Sequence, residues 1–351
     1  MKRSPLVLLA AGLAALLVAG CQTDDSTAPD AGVPGSVLPA NFPPPVYGLE
    51  QNPPTKEGFA LGRALFYDPR LSRDGTISCG SCHQQFAAFS HAGHTVSHGL
   101  DGLLGTRNAP ALQNLRWERE FLWDGGSRHI ETMPVAPLTN PVEMGETLDN
   151  VVRKLNADPQ YQRQFAQVFG SKPIDSYQLL RALAQFTAAL TSANSRYDHY
   201  VRHEGGGTLS AAETRGLTLL TQKCTPCHGT DLFTDHSYRN NGLDSAFPAD
   251  SGRAHITQQA TDRGKFKVPS LRNVARTAPY MHDGRFQTLE QVLDHYDHGV
   301  AASPTLDPLL QPTSGRRGIA LSAQERSDLV AFLHTLTDEQ FLRDARLAER
   351  P

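Results

Sequence analysis

The stretches Cys79-Gly80-Ser81-Cys82-His83 and Cys224-Thr225-Pro226-Cys227-His228 decide how this chain reads. Each is a C-x-x-C-H motif. In that pattern two thiols add to the vinyl groups of a c-type haem, and the adjacent histidine becomes the proximal iron ligand. A redox dithiol, a disulfide or a zinc site also uses paired cysteines. The chain has five cysteines, and the two motifs take four of them. Two copies of one pattern favour two covalent haems, attached at Cys79, Cys82 and His83 and at Cys224, Cys227 and His228. One thiol is then left, and a single thiol cannot form a disulfide within the chain.

The fifth cysteine is Cys21. Lys2 and Arg3 precede an apolar run from Leu6 to Gly20, too short for a comfortable transmembrane helix. The run ends Val18-Ala19-Gly20-Cys21, which resembles a bacterial lipobox. That resemblance implies a lipoprotein signal peptide over 1–20, acylation of Cys21 and a periplasmic, lipid-anchored protein. Gln22 after the cysteine implies the outer membrane. The alternative is an ordinary signal peptide with an incidental cysteine. Residues 21–54, rich in Pro, Asp, Thr and Ser, read as a flexible tether.

Outward from the motifs, the two halves match. Pro110-Ala111-Leu112-Gln113-Asn114 parallels Pro269-Ser270-Leu271-Arg272-Asn273. Ten positions on, Trp123-Asp124-Gly125 parallels His282-Asp283-Gly284, and Glu131 and Glu290 each follow seven positions later. His83 to Pro110 is 27 positions and His228 to Pro269 is 41, so the second half carries a loop insertion. The chain reads as an internal duplication of a cytochrome c-like module, over 55–205 and 206–351, with the haems at the module interface. Ser210-x-x-Glu213, Thr288-x-x-Gln291 and Ser322-x-x-Glu325 are capping boxes before apolar-periodic runs. Residues 177–190 form a further helix candidate. No sustained two-residue alternation points to a sheet, so the fold class is all-α.

The 351 residues are 39% hydrophobic, enough to fill cores. Lys plus Arg is 33 against 36 Asp plus Glu, so no basic excess points to a nucleic-acid partner, and none is expected.

A haem iron with one histidine is either capped by a second side chain, for electron transfer, or open to a small molecule. In the second half, Leu289, Val292, Leu293 and Tyr296 share one helical face, with His295 and His298 pointing away. A buried phenol needs a polar partner, which an iron or a backbone group supplies. Met281 is the rival ligand. The position equivalent to Tyr296 in the first half is Pro137, which cannot ligate. The first haem is therefore open unless His91, His94 or His98 caps it. Glu143 lies just beyond. A carboxylate beside an open haem can move a proton between the two oxygens of peroxide. Its other reading is a helix N-terminal charge ahead of Leu148.

Arg107-Asn108-Ala109-Pro110, Leu122-Trp123-Asp124-Gly125, Asn140-Pro141-Val142-Glu143-Met144 and Pro269-Ser270-Leu271-Arg272-Asn273 resemble motifs of the bacterial di-haem cytochrome c peroxidase and MauG family. The resemblance covers nearly all of the chain beyond the leader. It implies that Glu143 is the distal catalytic glutamate and that Trp123 relays electrons between the haems. It also implies a calcium ion held by Asn108 through its side chain and by Thr277 and Pro279 through carbonyls. Tyr296 as the iron ligand is similar to the MauG branch, where the peroxidase branch has Met. The MauG branch oxidises a protein substrate at a distance. The stretch from Asp235 to Asp244 resembles the related MbnH-type enzymes, which oxidise tryptophan on a partner protein. Where many relatives carry a distal Gln, this chain has Met133. The expected function is thus a di-haem oxidoreductase that activates hydrogen peroxide at the first haem and draws electrons from a periplasmic protein donor or protein substrate. The alternative is a di-haem electron carrier without peroxide chemistry.

Overall fold

Helices start where side chains can satisfy their free N–H groups. Ser210, Thr288 and Ser322 each close the expected capping box with the residue three positions on, and Asp175 forms another with Gln178. In the computed structural model, residues 32–311 and 315–350 are described. The signal peptide and Cys21 lie outside them.

Seven of the helices among the described residues frame the site: α1 (Lys56–Tyr67), α2 (Leu148–Asn156), α3 (Pro159–Phe169), α4 (Ser176–Ala188), α5 (Ala211–Lys223), α6 (Leu289–Asp294) and α7 (Ala323–His334). Helix α1 packs on α4, and α5 packs on α7 in the same way. Both contacts are built on glycine. A Cβ at Gly62 would lie 2.0 Å from the Ala182 carbonyl oxygen, and one at Gly216 would lie 2.1 Å from that of Asp328. Phe59, Phe66, Phe89 and Phe186 fill the first core. Tyr197, Phe233 and Phe332 fill the second. Each fully buried aromatic is worth about 1.5–3 kcal/mol of apolar burial.

Between the helices the backbone repeats itself. Left-handed Asn114, Leu122 and Gly125 recur as Asn273, Met281 and Gly284. The bridge Phe121–Ser127 recurs as Tyr280–Phe286, and the 3-10 turn Leu115–Trp117 as Val274–Arg276. All of these pairs share one sequence offset, the one that relates Asp124 to Asp283.

The all-α expectation holds apart from one minimal ladder. β1 (Tyr238–Arg239) pairs antiparallel with β2 (Phe266–Lys267) inside the inserted loop. Among the described residues no helix is long and apolar enough to cross a membrane.

The tether expected over 21–54 needs correcting from residue 32 on. Val33, Phe42 and Leu49 are buried. Phe42 sits edge-on to Trp117 at 5.1 Å, and the Trp117 indole donates to the Pro43 carbonyl at 2.7 Å. A Pro-rich composition hid three apolar anchors, spaced widely enough to escape any periodicity.

Where the halves meet, Arg272 and Asp198 form an ion pair at 2.7 Å with both side chains fully buried. The Arg272 guanidinium also lies 4.3 Å from the Phe42 ring centre. Gln113 donates to the Arg272 carbonyl at 2.5 Å, and Asn114 to that of Ser192 at 3.1 Å.

Candidate active site

Each C-x-x-C-H motif folds as a tight turn in which the histidine N–H donates to the first cysteine's carbonyl, at 2.8 Å in both halves. His83 Nδ1 then sits 2.7 Å from the Phe89 carbonyl, and His228 Nδ1 sits 3.0 Å from that of Phe233. A carbonyl can only accept, so Nδ1 carries the proton and Nε2 keeps its lone pair for a metal. Burial pushes both imidazoles below their usual pKa, which keeps them in the neutral, ligating form. Burial also raises the Cys79 thiol to about 12 and the Cys224 thiol to about 11. A redox dithiol needs the opposite shift.

A cavity of about 1080 Å³ opens against the first motif. That is at the top of the range for small-ligand pockets and calls for a large occupant. Its wall carries Cys79, Cys82, His83, His98, Trp123, Pro137 and Glu143 from the first half, and Thr277, Pro279 and Met281 from the second. Residues that lie far apart in sequence are thus brought to one space.

Glu143 reaches the cavity from the turn after Asn140, whose carbonyl accepts the Glu143 N–H at 3.0 Å. Its carboxylate accepts from the Ser97 hydroxyl at 2.9 Å. Burial raises its pKa, and the Ser97 bond opposes this only in part. The helix N-terminal reading fails, because Thr147 caps α2. Met133 lines the same cavity. Gly99 lets two loops meet: a Cβ there would lie 2.5 Å from the Glu143 Cα. Ser97 and Gly99 carry no motif, and sequence reasoning missed both.

The three loop histidines separate. His91 and His94 stack at 4.0 Å, and His94 and His98 at 5.9 Å. His91 is buried, its Nδ1 lacks a hydrogen-bond partner, and burial followed by the neighbouring histidines pulls its pKa down to about 4. Of the three, only His98 faces the cavity.

Trp123 stands where the halves join. Its indole donates to the Asn108 carbonyl at 2.8 Å, and its own carbonyl accepts from Lys267 N at 2.8 Å. Asn108 is buried, and its N–H donates to the His282 carbonyl at 2.7 Å. The Asn108 amide nitrogen donates to the carbonyls of His94 and Thr95, at 3.1 and 3.2 Å, which turns Oδ1 the other way. An amide oxygen plus the carbonyls of Thr277 and Pro279 is an all-oxygen donor set, the kind that suits calcium.

In the second half, α6 runs into a π-helical turn over His295–Gly299. Such turns often mark functional sites. Tyr296 lies within electrostatic reach of Cys224 and Cys227. Its phenol is pushed up to about 12 by burial, which the neighbouring Asn241 side chain opposes. The π-turn alters one expectation. His298 is exposed, but His295 is buried, with Nε2 3.0 Å from the Asn241 carbonyl.

The family profile described as "Di-haem cytochrome c peroxidase" matches residues 56–206. The chain is 38% identical to the methylamine utilization protein MauG of Methylorubrum extorquens, over 87% of this chain and 85% of that protein. The chain belongs to the di-haem cytochrome c peroxidase and MauG family. It is 34% identical to the cytochrome c peroxidase Ccp of Escherichia coli, over 83% of this chain and 61% of that protein. Among solved structures, a MauG-like protein associated with microbial copper homeostasis matches with TM-score 0.80 and 38% identity, covering 89% of this chain and 97% of that one. The diheme peroxidase BthA from Burkholderia thailandensis matches with TM-score 0.71 and 26% identity, covering 85% and 91%.

Family membership implies two c-type haems, a peroxidase-type oxidoreductase and hydrogen peroxide as oxidant. The residues present fit such groups. Both thiol pairs are free, both histidines offer Nε2, and the first motif opens on a cavity of suitable size.

Proposed function

We propose that the chain is a duplicated two-module peroxidase of the MauG and MbnH type, exported, held by a lipid on Cys21 at the outer membrane, and oxidising a protein partner. The observation that carries this reading is an asymmetry. A phenol, Tyr296, stands by the second thiol pair, whereas its counterpart Pro137 lines the first cavity beside Glu143. Tyr296 would then cap the second haem and leave the first accessible to peroxide. The bound haems would supply the one-electron redox chemistry.

In this reading Cys79, Cys82 and His83 would hold the first haem, and Cys224, Cys227, His228 and Tyr296 the second. Glu143 takes a proton from one peroxide oxygen and returns it to the other, so that the departing oxygen leaves as water. Ser97 orients the carboxylate for both transfers. The O–O bond breaks, and peroxide takes two electrons and two protons to become two waters. The electrons come from the partner, and Trp123, fixed through its indole N–H, lies on the route between the halves. Asn108, Thr277 and Pro279 would hold a calcium ion that ties those segments together.

Tyr296 favours partner modification over simple peroxide removal. An anionic ligand stabilises the oxidised iron, whereas a sulfur ligand would poise the second haem to store a donor's electron. The test is to add peroxide to purified holoprotein with candidate periplasmic proteins and weigh the partners. A mass change on a partner side chain supports the reading. Turnover with no mass change reduces the protein to a peroxide scavenger. A purely low-spin, peroxide-inert spectrum would make it an electron carrier with His98 over the first haem.

A further inference from the structure

The stretch Arg239-Asn240-Asn241-Gly242 has no part in the mechanism above, yet it is among the most tightly held turns in the second half. Asn240 donates from Nδ2 to Ser303 Oγ at 2.8 Å and to Thr305 Oγ1 at 2.9 Å, while its Oδ1 accepts the Gly242 N–H at 2.9 Å. The Gly242 carbonyl accepts from Ala301 N at 2.8 Å, and that of Asn240 from Asp307 N at 3.0 Å. Gly242 has φ +72°, and a Cβ there would lie 2.6 Å from Val300 Cγ1. The Asn241 carbonyl is fixed by buried His295. Every backbone neighbour of Asn241 is tied down, and its side chain is what the turn presents.

That side chain meets two groups able to ligate a haem iron. Its Nδ2 lies 3.4 Å from Met281 Sδ, and the same side chain lies beside the Tyr296 phenol. A primary amide has two N–H bonds, so one nitrogen can serve both acceptors. A donor on the sulfur engages one of its two lone pairs and turns the sulfur toward Asn241. A donor on a phenolate oxygen stabilises its anionic form. Met281 is also held in a left-handed conformation, at φ +77°, which fixes the direction its side chain leaves the backbone.

We infer that Asn241 is a positioning residue that selects the second haem's ligand, holding Tyr296 in place and keeping Met281 off the iron. This rests on the reading that Tyr296 is that ligand. A carboxylate at 241 has no N–H to give and repels the phenolate, and a leucine gives neither acceptor a partner. Both changes release Met281 to compete.

The experiment compares holoprotein carrying Asn241→Leu or Asn241→Asp with the parent, by optical spectrum and by the second haem's reduction potential. Mass is checked for two attached haems. The expected result in both variants is loss of phenolate character, a methionine-type ferric spectrum and a raised potential, all abolished when Met281→Leu is added. A spectrum and potential identical to the parent in both variants would overturn the inference. So would a change that persists unaltered in the Met281→Leu background. Asn241→Asp keeps the side-chain size and serves if the leucine variant fails to fold. Tyr296→Phe separates the two claims. A second-haem spectrum unchanged by it overturns the ligand assignment itself, whereas a changed one with silent Asn241 variants overturns only the role of Asn241.

Discussion

Glu143 is a carboxylate that the protein keeps partly dry. Burial holds its pKa above the ordinary range, and Ser97 pulls it back part of the way. In the proposed role the working form is the base, so peroxide activation is expected to fall as pH drops through a midpoint above the usual carboxylate value. Ser97→Ala removes the lowering bond and should move that acid limb to higher pH; a limb that stays put would show that Ser97 does not act through Glu143. Glu143→Gln should slow activation by about 10²–10⁴-fold, the ordinary worth of a positioned proton carrier, with both haems still attached. Stopped-flow mixing with peroxide measures both effects. Glu143 was legible as a carboxylate in a family motif. Ser97 was not, because a serine in a loop forty-six positions away has no sequence signal for where it will point.

At the scale of elements, two glycines let two helix pairs cross. Gly216 in α5 faces the Asp328 carbonyl so closely that a methyl group cannot enter without separating α5 from α7. Gly216→Ala gains helix propensity of up to about 1 kcal/mol but should lose more to overpacking, typically about 1–3 kcal/mol. A thermal melt of the holoprotein should therefore shift downward. A melting point equal to the parent's would mean the helices can slide apart freely. The capping boxes were readable because they are local, three positions from donor to acceptor. The crossing was not, because it depends on which helix arrives opposite the glycine. The π-turn at His295 was equally hidden, since a uniform helical period assigns His295 to the outside and the inserted residue turns it inward.

Across the whole molecule, the halves are locked by a charge pair with no solvent around it. Burial alone would raise the Asp198 carboxyl, but the Arg272 guanidinium, with Ser195 and Asn41, holds it down at about 2. A depressed carboxylate stabilises the fold above its ordinary pKa of 3.8, and that contribution is lost as pH falls from there through about 2. Asp198→Asn strands a buried guanidinium and should cost about 3–5 kcal/mol, seen as a lower denaturation midpoint. Its stability should also depend less on pH below 3.8 than the parent's; parallel pH curves would refute the assignment. Tyr296→Phe belongs to this scale too, because in the proposed function Tyr296 sets the character of the second haem. The second haem's spectrum should change while peroxide binding at the first persists.

Covalent chemistry and local pattern were written in the chain. Adjacent Cys, Cys and His dictate where a haem attaches, recurring motifs at a fixed offset describe two similar halves, and caps mark where helices begin. These depend on residues a few positions apart, whose relative placement the backbone fixes in advance. The assignment of partners across space was decided by packing: Ser97 on Glu143, Asn241 between Tyr296 and Met281, Asp198 on Arg272, and Phe42 against Trp117. Each joins segments that only burial brings together, and burial answers to the sum of apolar contacts over the fold, not to any one stretch of sequence.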